Sequence, residues 1–344
     1  MARSSPRRPR HATTHRSARR GAVAGLVILA GACTQTLDAG HNGPHGPLPV
    51  DERNPVILSQ DDWSGDWLGE YAALFANSGG PPLVGIIVNG TPYWPNVGVN
   101  AAGWKELVSA AKMSGLENIP DVTPSDGKPL VRPASGVVEM TAANNSLGAQ
   151  LIVNLSRQLS TPSRPIVIAS ATRLTDIADA YLMDHTVVDR VVVVAALGSV
   201  VPPNGVMDGP NGDMDAWADW IVAQRFRYVH VGTWYDQTGD VTAAQLSSLP
   251  KNPLGMRIMD KQPNIITDFL TASDQVALLA TALPGFVTGV QRASPDTSAP
   301  FDSAQGPPLV PDDGGNVWVV TAIAGPLAQA RLWQMLLDPQ IFGP

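Results

Sequence analysis

Short apolar runs separated by helix-length segments constrain this chain more than any other feature. Pro55–Ser59, Leu83–Asn89, Pro165–Ser170, Arg190–Ala196, Tyr228–Gly232 and Asn316–Ala322 are apolar at nearly every position. A strand with one wet face would alternate; continuous apolarity means both faces are covered, as in a parallel sheet between helix layers. The intervening segments Trp67–Asn77, Ala101–Ser114, Asn144–Leu159, Leu174–Tyr181 and Met214–Gln224 read as helices, and Gly325–Leu337 as a closing one. The order predicts an α/β fold with a mostly parallel central sheet flanked by helices, Rossmann-like, in one domain over 55–344. Residues 284–316 are rich in Pro, Gly, Asp and Ser and are expected to form long loops.

The front of the chain has a different character. Seven Arg and no acid lie in residues 1–32, where Ala22 to Ala30 forms a short apolar run ending in Gly31-Ala32-Cys33. A basic start, an apolar stretch and small residues before a cut site read as a secretory signal. The run is short of the ~20 apolar residues a membrane span needs. Leu29-Ala30-Gly31-Ala32-Cys33 resembles a bacterial lipobox, with Cys33 as the lipidated residue and an ordinary signal peptide as the alternative. Residues 33–54 then read as a flexible tether, with His41 and His45 as solvated linker residues.

Signal removal takes seven of the 23 basic residues and none of the 30 acidic ones, leaving a formal charge of −14. Such a surface repels polyanions, which argues against nucleic acid as a partner. With one cysteine in the chain, an internal disulfide is excluded. The expected location is the bacterial cell envelope, lipid-anchored, or alternatively secreted or periplasmic.

In open parallel sheets ligands bind beyond the carboxyl ends of the strands, and the residues there carry the chemistry. The first strand runs into Ser59-Gln60-Asp61-Asp62-Trp63-Ser64-Gly65-Asp66, with three carboxylates inside six residues. Such a cluster fits a hard cation, which takes six to eight oxygen ligands. It fits equally a solvated acidic loop in which Asp66 caps the next helix.

The same stretch resembles the strand-loop D-x-D-x-G-x-D-D of the nucleoside hydrolases, with Asp61 at the second Asp and Asp66 at the last. Five further stretches resemble that family's motifs in the right order. They are Lys128-Pro129-Leu130; Ile166 through Ala178, which resembles the "GPLTNIA" signature; Val187-Val188-Asp189-Arg190 with Val191–Ala196, against the strand leading to "MGG"; Asp213-Met214-Asp215-Ala216-Trp217-Ala218-Asp219, against E-F-N-x-x-x-D-P; and Ser273-Asp274-Gln275-Val276-Ala277, against "HDPLA". The resemblance implies a nucleoside hydrolase-like fold. It implies Ca2+ held by Asp61, Asp66, the Ala171 carbonyl and Asp274, with Asp61 also the base for the attacking water. Asn96, Asp213 and Asp215 would bind substrate, a nucleoside or a related sugar ligand. A homodimer or tetramer is also an expectation of the resemblance.

The departures matter as much. Ser59 and Gly65 stand where the family has carboxylates, Trp63 replaces a Gly, and Ser273 replaces the histidine thought to protonate the leaving base. His185 and His230 do not align with that histidine and read as structural; Tyr235 is a weaker alternative donor. Trp63, Trp67, Trp94 and Trp217 fall near predicted strand ends, either as core or as a stacking wall. Two functions follow: a calcium-dependent hydrolase of N-glycosidic bonds, or a catalytically impaired nucleoside- or sugar-binding envelope lipoprotein.

Overall fold

In the computed structural model the described residues are 48–51, 53–61, 81–196, 198–206, 209, 211–232, 244, 247–261, 284–327, 330 and 337. They fall within one compact unit, Asn42–Pro344. The expected signal segment with Cys33, most of the tether, Trp67–Asn77, and the positions of Asp66 and Asp274 lie outside the described residues.

The chain runs β1 (Val56–Gln60), β2 (Leu83–Val88), α1 (Val97–Met113), β3 (Val122–Pro124), α2 (Leu147–Leu159) and β4 (Ile166–Ser170). It continues through α3 (Thr175–Met183), β5 (Val191–Ala196), α4 (Asn211–Met214), α5 (Ala216–Arg225), β6 (Arg227–Val231) and α6 (Pro253–Lys261). Strands β7 (Val287–Pro295), β8 (Leu309–Pro311) and β9 (Val317–Ile323) complete the described elements. The nine described strands form one sheet in the order β3-β2-β1-β4-β5-β6-β9-β7-β8. All neighbours from β3 to β9 are parallel. At β7 the direction reverses, and β8 pairs antiparallel to β7.

The apolar runs are buried on both faces, as their composition requires. Leu58, Val167, Ala169, Val192 and Val194 pack on the α1 side with Trp104, Leu107 and Ala111. Their neighbours Ile57, Ile168, Val191, Val193 and Ala195 join Ile152, Ile177, Ile221 and Val222 on the other. Burying a Val, Leu or Ile side chain stabilises by about 1.5–3 kcal/mol relative to exposure, so a two-sided sheet of this length dominates folding.

Three differences from the sequence reading have local causes. Residues 284–316 do not form only loops: β7 and β8 extend the sheet. Val287–Pro295 is only partly buried, so its pattern shows no core strand, yet β9 satisfies its backbone groups. Helix α1 begins four residues before the expected Ala101, because Asn96 caps it by accepting the Val99 N–H at 3.1 Å. The expected Met214–Gln224 helix is broken at Asp215, whose φ of −160° is not helical and whose carboxylate caps α5. Strand β3 and helix α6 had no counterpart in the reading. Among the described residues, no helix is long and apolar enough to cross a membrane.

Candidate functional site at the strand ends

Strands β2 and β3 lie to one side of β1, and β4, β5 and β6 to the other. Chain order therefore reverses between β1 and β4, which makes this the switch point of the sheet. The crevice so opened is where open α/β sheets bind ligands. Asp61 directly follows β1. Ala171, Thr172 and Arg173 directly follow β4, and the Ala171 N–H donates to the Ser59 carbonyl at 3.3 Å across the gap. Topology thus brings Asp61 and Ala171 together from positions 110 residues apart in sequence.

The crevice floor is a connected polar layer. Asp61 is 7 % exposed, and its Oδ2 accepts from the Thr91 hydroxyl at 2.7 Å. Thr91 Oγ1 in turn accepts the Trp94 N–H at 3.0 Å, which fixes the loop after β2 against Asp61. Asn89 is buried at the end of β2, and its Oδ1 accepts from the Thr172 hydroxyl at 3.0 Å. The Asn89 amide nitrogen and the Ser59 hydroxyl have no hydrogen-bond partner among the described residues.

Behind this layer four buried charged side chains organise the segment from Ser125 to Ser146. Asp176 accepts from the hydroxyls of Ser125 and Ser146, both at 2.7 Å. Asp179 accepts from the Asn144, Asn145 and Ser146 N–H groups. Asp215 Oδ1 accepts the Ala218 N–H; its Oδ2 accepts the Leu130 N–H at 2.9 Å and the Thr175 hydroxyl at 2.6 Å. Arg173, 7 % exposed, donates from Nη2 to the Gly127 carbonyl. Burial lowers its pKa, and the charges of Asp176, Asp215 and Asp61 oppose that. Burial likewise raises Asp176 and Asp215 against their hydrogen bonds. Asp219, on α5, is raised furthest: it is fully buried, Asp215 and Asp213 repel it, and neither oxygen has a hydrogen-bond partner among the described residues.

The other expected ligand contacts are placed as follows. Asn96 is exposed and spends its side-chain oxygen capping α1. Asp213 is exposed on α4 and accepts from the Tyr93 hydroxyl at 3.2 Å. Asp215 is 5 % exposed and committed to the three donors above. Trp94 and Tyr93 are exposed beside the crevice, whereas Trp217 is core, with its Nε1 donating to Thr141 at 2.9 Å. His185 stacks on Tyr181 at 4.6 Å, and His230 is buried in β6. Trp63, Trp67, Tyr235 and Ser273 lie outside the described residues.

The implied calcium meets a mixed donor set. Asp61 and Ala171 follow the adjacent strands β1 and β4, and one Asp61 oxygen already accepts from Thr91. Among the described residues no group of three or more His, Cys, Asp or Glu side chains could hold a metal. The Arg173 guanidinium, buried behind the layer on the Gly127 carbonyl, is the nearby fixed cation. Asp66 and Asp274, the other two implied ligands, lie outside the described residues, so the described part holds two of the four implied donors. Sequence reasoning missed Asn89, Thr91, Thr172 and Arg173. The usable signal was a polar residue just past each apolar run, and an arginine where the "GPLTNIA" signature has proline.

A separate cleft of about 450 Å3 lies on the β7–β8 connection, lined by Trp220, Phe301, Asp302 and Gln305 among others. It contains none of the expected site residues.

The comparisons with solved structures resolve the fold. A purine-preferring ribonucleoside hydrolase from Gardnerella vaginalis matches with a TM-score of 0.57 at 15% identity, covering 84% of this chain and 100% of that one. The chain has the nucleoside hydrolase fold. An inosine-uridine preferring nucleoside hydrolase from Bacillus anthracis matches at TM-score 0.59 and 12% identity, over 83% of this chain and 99% of that one. A plant nucleoside hydrolase matches at TM-score 0.56 and 15% identity, over 83% and 98%. No protein-family model matches the sequence, and no curated protein sequence does.

Proposed function

We propose that the protein hydrolyses the N-glycosidic bond of a ribonucleoside or a closely related glycoside at the β1–β4 crevice. One observation carries this reading: on a nucleoside hydrolase fold, Asp61 occupies the strand end at the topological switch point, held in place by Thr91. Cleavage needs an activated water, a stabilised oxocarbenium-like sugar and a leaving base. Asp61 takes the water's proton, and the Thr91 hydroxyl holds its carboxylate in place. The negative potential of Asp61 and Asp213 at the crevice stabilises positive charge on the sugar. Exposed Trp94 and Tyr93 offer flat faces to a base or sugar ring. The four-ligand calcium arrangement of Asp61, Asp66, Ala171 and Asp274 enters no step here.

A second reading, ligand binding without efficient turnover, is favoured by Ser59. Its hydroxyl is buried without a hydrogen-bond partner among the described residues, at the position of a family carboxylate, and Asp215 is engaged in structure.

Incubating the purified chain with mixed ribonucleosides and following free base by reverse-phase chromatography tests the first reading. Release abolished by Asp61→Asn supports it. No release, together with a rise in melting temperature on adding nucleoside, supports binding alone.

The front of the chain completes the proposal. Export through the signal segment and lipidation at Cys33 would tether the domain to the cell envelope. Cys33→Ala should then move the protein from the membrane to the soluble fraction.

A further inference from the structure

We propose that Tyr93 gates the β1–β4 crevice: its hydroxyl occupies the Asp213 carboxylate in the free protein, and a hydroxyl of the ligand takes its place on binding. The inference rests on the sugar-bearing ligand of both readings above and adds the residue that controls its entry.

The Tyr93–Asp213 contact joins two rigid anchors on either side of the crevice. Tyr93 sits in a short turn after β2. Thr91, at the start of that turn, donates its hydroxyl to Asp61 just past β1 at 2.7 Å and accepts the Trp94 N–H at 3.0 Å. The Thr91 N–H returns to the Trp94 carbonyl at 3.1 Å, and Asn100 Nδ2 donates to the same carbonyl at 2.9 Å. Asp213 lies on α4, which Asn211 pins to the last residue of β5: buried Asn211 Nδ2 donates to the Ala196 carbonyl at 2.8 Å.

In the sheet, β4 lies between β1 and β5. A bond between a turn fixed at β1 and a helix fixed at β5 therefore crosses the end of β4, over two strand spacings or about 10 Å. The Tyr93 hydroxyl donates to Asp213 Oδ2 at 3.2 Å and completes this bridge.

Both anchors are buried, but the bridge is not. Tyr93 is 55 % exposed and Asp213 is exposed as well, so water or another hydroxyl can exchange with the phenol at small net cost. The charge of Asp213, with the hydrogen bond to it, raises the phenol pKa, so Tyr93 keeps its proton and stays the donor. An ionised carboxylate only accepts, and a sugar hydroxyl is as good a donor to it as a phenol. Tyr93 thus competes for the acceptor that a hydroxyl-bearing ligand uses. A ligand that presents only acceptors cannot displace it. With a hydrogen bond of ordinary net strength, the open form is roughly a tenth to a third of molecules, which weakens apparent affinity about three- to tenfold.

Calorimetric titration of the full chain with D-ribose tests the gate. Tyr93→Phe keeps the ring and removes the competing donor, so it should bind ribose about three- to tenfold more tightly than the parent. Asp213→Ala breaks the same bridge but also removes the acceptor, and should bind more weakly than the parent. A purely structural bridge would move both variants in one direction. Hydrogen exchange of residues 90–96 should quicken in both, showing that the bridge held the turn.

Ribose affinity of Tyr93→Phe equal to or below that of the parent overturns the proposal, as does unchanged exchange in both variants. Base release from ribonucleosides is read separately. Release by a parent whose Tyr93→Phe affinity is unchanged keeps the cleavage reading and rejects the gate. No release, with tighter ribose binding by Tyr93→Phe, keeps the gate on a binding protein. Neither release nor ribose binding in any form rejects both.

Discussion

Asp215→Ala should be among the most destabilising single changes at the crevice, and its cost can be assembled from the structure. The carboxylate caps α5 through the Ala218 N–H at 3.1 Å, a contact worth about 1 kcal/mol at a helix N-terminus. Its other oxygen receives the Leu130 N–H at 2.9 Å and the Thr175 hydroxyl at 2.6 Å. Truncation strands both donors in a site that is 5 % exposed, at about 1–3 kcal/mol each. Allowing for relaxation and non-additivity, the loss should be about 3–5 kcal/mol. Urea unfolding at neutral pH, followed by tryptophan fluorescence, measures it. Asp215→Asn should cost less, since the amide oxygen can still cap α5 while its NH2 faces the fixed Leu130 N–H. An alanine variant within about 0.5 kcal/mol of the parent, but unable to bind nucleoside or sugar, would refute the structural account and assign Asp215 to the ligand.

Three further outcomes follow from the same physics. Asp219 is raised well above the usual carboxylate range by burial and by Asp215 and Asp213, so the folded chain keeps a proton that the unfolded chain releases. Stability must fall as pH rises above about 4; Asp219→Asn should remove that slope and gain about 1–3 kcal/mol at pH 7 by urea titration. Asp184 moves the other way: burial opposes ionisation, but the Thr186 hydroxyl, Arg190 and Arg157 hold it at about 2. Its contribution, about 1–2 kcal/mol, is present above pH 4 and lost as pH falls towards 2; Asp184→Asn should flatten the acid limb of a melting-versus-pH curve. Gly148→Ala, helix-favouring in isolation, should destabilise by about 1–3 kcal/mol. The new Cβ would meet the Asp176 carboxylate at 2.7 Å and Ile87 at 2.9 Å; an unchanged or raised melting temperature would show that the Asp176 cradle gives way.

The sequence by itself determined the sheet. Runs such as Val191–Ala196 are apolar at every position, and only a strand covered on both faces buries them all, so element type and parallel pairing follow from local composition. It also determined where chemistry should be sought, since Asp61 immediately follows such a run. What it left open were contacts set by distant chain. The partly exposed β7 carries no strong pattern of its own; β9 makes it a strand by satisfying its backbone. Asp213 and Asp215 look interchangeable in sequence, yet one faces solvent beside Tyr93 and the other is buried under three donors. Arg173 sits in the stretch that resembles "GPLTNIA", and only the packed fold buries it, with its guanidinium donating to the distant Gly127 carbonyl. Burial and charge pairing depend on which strand ends become neighbours, and that is a property of topology, invisible to any window of sequence.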